Sequence, residues 1–297
     1  MKPPKGYEKG EPGQVCKLVR SIYGLKQASR AWNCALKSFL IRHGYKQSKK
    51  DYFMFTKEQN GKQAIILAYV DDLLITGDNL EEIERLKANL DSEFTIKDLR
   101  ELRFFIGIEV DRNEHGTLLN QRKYILDILK NVGMEDCKIA KFLFPKGMRL
   151  STETGEILAH PEIYRRIVGK LLYLNITRPD ISYSVQQLSQ FMHCPRKPHL
   201  QVALHVIRYL KGTMDWGLYY PRNSELKIEG YSDADWGSCA FSARSLTNYC
   251  IFIGQCLVSW KTKKQKTVSK SSTESEYRSM SHTTSELVWV DDIFAKS

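Results

Sequence analysis

The sequence contains no C-x-x-C pair, and its seven cysteines, an odd number, are scattered from Cys16 to Cys256. That excludes a disulfide framework and the common zinc-site spacings, and it predicts reduced thiols in an intracellular protein. Long apolar runs are missing too. The longest, around Ile65, is far too short to cross a bilayer, and the opening MKPPKGYEKG is not a signal peptide. No internal repeat or low-complexity segment interrupts the chain. Acid is in short supply: 34 Asp and Glu face 45 Lys and Arg, a net charge of +11. That sign favours a polyanionic partner, nucleic acid before a membrane surface, because no basic amphipathic helix long enough to lie on lipid stands out. A basic protein without such a partner is the plainer alternative. His193, His199 and His205 recur every six residues, which keeps them off one helical face, and Cys194 is the one thiol among them, so they make no metal set.

What is present is ordinary for a globular chain. Hydrophobic residues make up 42% and charged residues 27% of 297 positions, enough for about two domains that each bury a core. The start, up to Arg20, is rich in Pro and Gly and reads as irregular. LKQASRAWNCALKSFLIRHGY has helix spacing, with Ala28, Trp32, Leu36, Phe39 and Leu40 on one stripe and Gly44 to end it. A hairpin at Val70–Leu73 follows, then a helix with Leu80, Ile83, Leu86 and Leu90 on one face and Asp78 or Asn79 as its cap. LRFFIGIEV and GTLLNQ read as strands about a turn at Asn113–Gly116, and Lys123–Val132 reads as a helix. The unpatterned CKIAKFLFPKGMRLSTETGE reads as a linker. Beyond it the spacing predicts a helix at Pro161–Asn175, apolar at Tyr164, Ile167, Val168, Leu171 and Leu172, and two more starting at Pro179 and Pro198. Arg165, Arg166, Lys170, Arg208 and Lys211 fall on their outer faces, as a solvated surface or as a grip on nucleic acid. From Leu226, alternation predicts three strands, a lysine-rich loop KTKKQKTVSK and a last helix.

Two acidic constellations carry the chemistry. In AIILAYVDDLLITGD, Asp71 and Asp72 sit between two apolar runs. Charges about 4 Å apart repel by about 1 kcal/mol in water and about 4 kcal/mol when partly buried. A solvated turn accommodates them, or a divalent cation offsets the repulsion, as in the carboxylate-held metal pairs of phosphoryl transfer. The spacing leaves both readings open. In the last helix, Ser271 and Glu274 form a capping box, which starts the helix near Ser272. Glu276 then shares a stripe with Met280, Thr283, Leu287 and Val290, and an acid on such a stripe needs a partner. Asp233, at a strand end beside Trp236, is the candidate to share a metal with it. A boundary acid on the helix is the plainer reading.

The segments SIYGLKQASRAW, YVDDLLITGD, LRFFIGIEV, QRKYILDIL, YRRIVGKLLYLNITRPDISYSVQQLSQFM, RYLKGT, YSDADWGS and SWKTKKQKTVSKSSTESEYRSM occur in this order. Together they resemble the reverse transcriptase and ribonuclease H regions of the copia-type retrotransposon Pol polyprotein, over nearly the whole chain. The resemblance implies an α+β chain with a partial right-hand polymerase palm over residues 1–146, a helical connection over 147–224 and the N-terminal part of a ribonuclease H-like domain over 225–297. It implies DNA synthesis from a primer on an RNA template, with cleavage of the RNA strand. The partners implied are RNA template, DNA primer, RNA–DNA hybrid and deoxynucleotides, and the place a cytoplasmic particle or the nucleus. Asp71 and Asp72 match the polymerase Asp pair at which two magnesium ions bind, with Asp71 the more direct ligand. Gln27 matches the helix position that faces the incoming nucleotide, with Lys26 and Arg30 as phosphate contacts. Asp233 and Glu276 match the first two metal-binding acids of the ribonuclease H site; the family places Glu276, not Glu274, in that role.

The resemblance also implies departures. The family's upstream polymerase aspartate precedes a segment like MKPPKGY, and its later ribonuclease H acids follow the helix that ends this chain. Both metal sites are therefore expected to be incomplete and the chain inactive alone, with Asp51 structural and not a substitute. CAFSARS stands where the family reads Cys-x-Asp-Thr-Arg-Arg-Ser, with Phe241 and Ala243 replacing an acid and a base. Asn248 stands where a turn glycine is usual. The alternative expectation is a non-catalytic nucleic-acid-binding relic, or a subunit completed by another chain.

Overall fold

Residues 6–7, 13–18, 24–25, 27–145, 148, 150–239 and 241–294 are described by a computed structural model. Among them are seven α-helices and three antiparallel sheets, a mixed α/β architecture. The chain divides into two units, Met1–Arg100 with Asp292–Ser297, and Glu101–Asp291. No helix among the described residues is long and apolar enough to cross a membrane.

In the first unit, helix α1 (Ala28–Arg42) buries Leu36, Phe39 and Leu40 of the expected stripe, with Trp32 packed at the margin of the same core. Gly44, at φ +85°, turns the chain after it. A sheet follows in the order β1 (Lys46–Gln47), β2 (Met54–Gln59), β3 (Lys62–Tyr69), β4 (Asp72–Gly77). Helix α2 (Leu80–Phe94) is capped by Asn79, whose side-chain oxygen accepts the Glu82 N–H at 3.2 Å. Ile83, Leu86 and Leu90 face the core as expected, but Leu80 is 71% exposed. It is the first helical residue and lies ahead of the turn that packs. Glu82 is buried in its stead, and Lys57 meets its carboxylate at 2.7 Å, which compensates an acid on the inner face.

The second unit opens with β5 (Phe104–Phe105), β6 (Ile108–Arg112), β7 (Gly116–Asn120) and helix α3 (Arg122–Asn131). Helix α4 (Pro161–Leu174), a 3-10 turn (Pro179–Ile181), α5 (Ser182–Ser189) and α6 (Lys197–Gly212) complete a helical layer. Strand β8 (Leu218–Pro221) then returns to pair with β7. The core joins Ile125 and Ile128 to Tyr164, Ile167, Val168 and Leu171, with Val185 and Leu188 and with Val202, Val206 and Ile207. Leu172, expected there, is 46% exposed. The stretch read as a linker is no tether. Cys137, Leu143, Phe144, Met148 and Leu150 pack against this core, and just beyond the stretch Ile157 bridges to Arg196. A third sheet, β11 (Cys256–Lys264), β10 (Leu246–Ile253), β9 (Ile228–Asp235) in that order, is covered on one face by helix α7 (Ser272–Phe294).

Four hairpins close with two-residue loops, between Gln59 and Lys62, Tyr69 and Asp72, Phe105 and Ile108, and Ile253 and Cys256. The first loop residue has positive φ in each: Asn60 (+55°), Val70 (+50°), Ile106 (+49°) and Gly254 (+56°). Asn and Gly take that conformation readily, but Val and Ile do not. The hairpin inside LRFFIGIEV was not expected from the sequence, since Ile-Gly is a poor turn pair. Tyr173 of α4 donates its hydroxyl to the Ile106 carbonyl and holds it.

Two polar centres brace the helical layer. Arg178 is 1% exposed and its guanidinium forks onto Asp180, with Nε–Oδ1 at 2.9 Å and Nη2–Oδ2 at 2.7 Å. It also donates to the carbonyl of Thr213 at 2.8 Å and to its hydroxyl at 2.7 Å, just past α6, and stacks 5.8 Å from the Tyr209 and Trp216 rings. His199 is fully buried and stacked on Phe191; its Nδ1 accepts the Arg196 N–H at 3.0 Å, so Nε2 carries the proton bonded to the Ser151 carbonyl at 2.9 Å. None of the three histidines meets a metal set among the described residues.

Replacing Asp180 by Ala leaves Arg178 buried and unpaired, and the expected loss is about 3 kcal/mol in the urea unfolding of the full chain. A loss below about 1 kcal/mol would show that the Thr213 and aromatic contacts neutralise the guanidinium unaided. Burial lowers the pKa of His199 below its ordinary value. The unfolded chain therefore takes up the proton first as pH falls. The stability this residue contributes is complete above about pH 6.5 and declines as pH drops through that value. Unfolding midpoints measured from about pH 7 to about pH 5 should fall less steeply for His199→Gln than for the parent chain.

Candidate functional site

The hairpin of β3 and β4 runs in register from Ala64 opposite Gly77 to Tyr69 opposite Asp72. The two acids therefore do not form the turn together, as the sequence suggested. Asp71 is the second loop residue, and Asp72 is the first residue of β4. Both carboxylates are exposed, and neither has an ion-pair partner among the described residues. The loop residue before them, Val70, is a β-branched residue in the left-handed region, a conformation that costs of order 1–3 kcal/mol. Trp32 of α1 donates its indole N–H to the Val70 carbonyl at 2.5 Å, and its ring lies edge-on to Phe94 at 5.1 Å. The tip that carries Asp71 is thus fastened to α1.

The start of α1 holds the other expected residues of this site. Gln27 is the residue that precedes the helix and Arg30 lies in its first turn, both exposed, with Trp32 two residues further on. Lys26 lies outside the described residues. Asp51 has a structural place as expected: its Oδ1 accepts the Phe53 N–H at 2.9 Å and shapes the turn before β2. No third His, Cys, Asp or Glu joins Asp71 and Asp72 in a metal-binding group among the described residues. Two hard oxygen donors still suit magnesium, which is commonly held by one or two carboxylates together with substrate phosphates and water.

The second constellation lies in the other unit. Helix α7 starts at Ser272, with the Ser271 hydroxyl accepting the Glu274 N–H at 3.1 Å and the Glu274 carboxylate accepting the Lys270 N–H at 2.7 Å. The carboxyl of Glu274 is held below its usual range by that backbone bond and by Arg278. The cap is as expected, and the buried stripe is as expected in its later turns but not in its first two. Ser275, Ser279, Thr283 and Val290 face inward, Glu276 is half-buried and Met280 is 51% exposed. Thr283, Leu287 and Val290 of the expected stripe do face the core, and only in the first two turns does the inward position fall one residue earlier, at Ser275 and Ser279 in place of Glu276 and Met280. Its hydroxyls allow this because each finds an acceptor: Ser275 bonds the Ser272 carbonyl at 2.6 Å, Ser279 the Asp233 carbonyl at 2.8 Å, and Thr283 the Ser279 carbonyl at 2.9 Å.

Asp233 sits in β9 opposite Asn248, next to buried Ala234. By strand alternation its side chain belongs with those of Tyr231 and Asp235 on the exposed face, whereas α7 covers the face of Tyr249, Ile251 and Ile253. The backbone of Asp233 is bonded to α7 through Ser279, but no bond joins its carboxylate to Glu276 among the described residues. Asn248 is a strand residue, not a turn residue with positive φ as the sequence suggested. Ala243, in the CAFSARS loop, has φ +49° in its stead, and its N–H donates to the Cys239 carbonyl at 2.8 Å.

Of the basic residues expected to face outward, Arg165 is bonded to the carbonyls of Met192 and His193, and Lys211 to that of Cys137. Arg166 and Arg208 are exposed. Two contributors escaped the sequence reading, Trp32 and Val70. Trp32 read as one more member of an apolar stripe, and its indole N–H was the signal that it needed an acceptor. Substituting Val70 by Gly removes the left-handed strain and adds some unfolded-chain freedom. The expected result is a net gain of about 1 kcal/mol in urea unfolding. A loss would show that the valine side chain itself supports the turn.

The family model for reverse transcriptase (RNA-dependent DNA polymerase) matches residues 1–143. The chain is 42% identical over 288 residues to the retrovirus-related Pol polyprotein from transposon RE1 of Arabidopsis thaliana, covering 97% of this chain and 20% of that protein. It is 33% identical to the corresponding polyprotein from transposon TNT 1-94 of Nicotiana tabacum, over 98% of this chain and 23% of the relative. It is 31% identical to a putative transposon Ty5-1 protein of Saccharomyces cerevisiae, over 97% of this chain and 94% of the relative. This chain spans about a fifth of the length of the RE1 polyprotein. No solved structure matches it. With a relative matched almost end to end and the polymerase model lying over the Asp71–Asp72 hairpin, the chain belongs to the reverse transcriptases of copia-type retrotransposon Pol polyproteins.

Proposed function

We propose that this chain handles primer–template nucleic acid as a partial polymerase palm (1–146), a helical connection (147–224) and the opening part of a ribonuclease H-like domain (225–297). The observation that carries this reading is the hairpin tip of Asp71 and Asp72, bonded through Trp32 to the helix that bears Gln27 and Arg30. Asp71, the more direct ligand, and Asp72 would hold magnesium together with the phosphates of a deoxynucleotide. Magnesium bound there would supply charge neutralisation for in-line displacement at the phosphate by a primer hydroxyl. Gln27 positions the nucleotide against the primer end, and Arg30, with Lys26, neutralises the leaving phosphates. Asp233 and Glu276 are the corresponding pair of the ribonuclease H-like part, directed at the RNA strand of an RNA–DNA hybrid. The net charge of +11 suits all of these polyanions.

A second reading is favoured by the way the acids are distributed. Asp71 and Asp72 lie in one unit, Asp233 and Glu276 in the other, and the latter two belong to different sides of the third sheet. On this basis the chain by itself binds primer–template without extending it, as a non-catalytic nucleic-acid-binding module or a subunit of a larger assembly. The two readings separate in one experiment with purified chain, magnesium, deoxynucleotides and an RNA template annealed to a DNA primer. The expected outcome is binding without extension. With about five phosphate contacts, affinity should fall roughly fiftyfold between about 50 and about 120 mM salt. Extension that disappears in Asp71→Asn would assign polymerase activity to this chain and overturn the non-catalytic reading. Absence of binding at low salt would remove both.

A further inference from the structure

The stretch from Cys137 to Pro145 is a braced shelf on helix α6. Ala140 donates its N–H to the Arg208 carbonyl at 3.2 Å, His205 Nε2 bonds the Phe142 carbonyl at 2.9 Å, and Lys211 Nζ donates to the Cys137 carbonyl at 2.8 Å. Held in this way, the shelf leaves Phe142 75% exposed and Ile139 60% exposed. Folding does not account for that placement, because the core takes the neighbouring Leu143 and Phe144 and leaves Phe142 out. An apolar ring on a backbone fixed by three hydrogen bonds is a surface waiting for a flat partner.

Its surroundings say which partner. Beside Phe142 is a shallow cleft of about 250 Å³ lined by Lys138, Lys141, His205 and Arg208. Lys138, Lys141 and Arg208 have no ion-pair partner among the described residues. Glu135 and Asp136 line a separate depression that shares Arg208 with the cleft, so the charged residues lining the cleft itself are cations and none is an acid. The cleft is smaller than the roughly 300–1,000 Å³ of pockets that enclose small molecules. An exposed ring flanked by unpaired cations matches the way single strands are bound, by stacking of bases on aromatic faces and neutralisation of the adjoining phosphates. A duplex keeps its base faces covered and offers this ring nothing.

We propose that the shelf is a single-stranded nucleic-acid subsite, in which Phe142 stacks on an unpaired base and Lys138, Lys141 and Arg208 hold the flanking phosphates. It rests on the reading that this chain binds nucleic acid, but it uses none of the four acidic residues of the candidate sites. The test is fluorescence anisotropy of the full chain with a labelled single-stranded oligouridylate of about ten nucleotides, a length within single-strand site sizes. Phe142→Ala should weaken binding about tenfold, Phe142→Trp should retain it, and Phe142→Leu should behave like the alanine variant. The double change Lys138→Gln, Lys141→Gln should lower the slope of log affinity against log salt by about 1.4. The three substituted positions, Phe142, Lys138 and Lys141, are exposed, and unchanged circular dichroism checks that the fold is kept. If the parent chain binds and Phe142→Ala stays within about twofold of it, or Phe142→Leu binds as well as Phe142→Trp, the stacking subsite is wrong while nucleic-acid binding stands. If the parent chain does not bind the strand or a primer–template at low salt, both fall together.

Discussion

A guanidinium taken out of water has to be neutralised where it lies, and the second unit is arranged around one. The Arg178–Asp180 fork is completed by the Tyr209 hydroxyl, which donates to Asp180 at 3.0 Å, and by both oxygens of Thr213. These partners come from the turn after α4 and from the end of α6, so the bond set fixes where α6 stops. Strand β8 begins shortly after that point and pairs with β7, and α6 is also the helix on which the Cys137–Pro145 shelf is pinned. A misplaced Arg178 would thus be felt in the sheet register and on the shelf together. Lysine could not replace it, since a point charge lacks the geometry to satisfy a carboxylate, a carbonyl and a hydroxyl at once.

The two units share a second device. In each, a β-branched residue stands at the tip of a two-residue hairpin with φ near +50°, and an aromatic donor from a helix bonds its carbonyl: Trp32 to Val70, Tyr173 to Ile106. A hydrogen bond of this kind contributes about 1 kcal/mol net, which is less than the strain of the backbone it holds. The bond alone does not make the turn. What it adds is direction, because a carbonyl fixed by a packed ring can point only one way. At Ile106 the loop partner is Gly107, and relief is local. At Val70 the partner is Asp71, so the strain and the candidate metal ligand occupy one loop.

Most of the framework was legible in the sequence, because long elements carry redundant signals. The stripes of α1 and α4 and the cap of α2 each rest on several residues, so one misplaced side chain such as Leu80 or Leu172 does not change the element. The order of motifs gave the family, since eight segments in register are far more specific than any one of them. Single-residue signals did less well. The first two turns of the α7 stripe were misjudged because Ser275 and Ser279 count as polar, although each hydroxyl is satisfied by a nearby carbonyl and buries at little cost. The hairpin at Ile106 went unseen because Ile-Gly is a poor turn pair. The Cys137–Pro145 shelf had no period to detect, being held by backbone bonds to a helix about seventy residues away in sequence, a relation that no local pattern expresses.

The acids at the hairpin tip can be weighed against one another and against Glu82. Glu82 is 4% exposed, and without Lys57 at 2.7 Å its charge would be uncompensated inside the first unit. Asp71 and Asp72 are in water, where adjacent charges cost about 1 kcal/mol and salt screens part of that. The fold therefore requires a partner for Glu82 and requires none for the Asp pair. A cation at Asp71 and Asp72 would have no folding role, and the tip would keep its shape without it, because the shape is set by Val70 and Trp32. The Val70 strain, of order 1–3 kcal/mol, is at least as large as the charge repulsion it sits beside. What is costly in this loop is the direction of its backbone, and that direction is what sets where Asp71 stands at the tip.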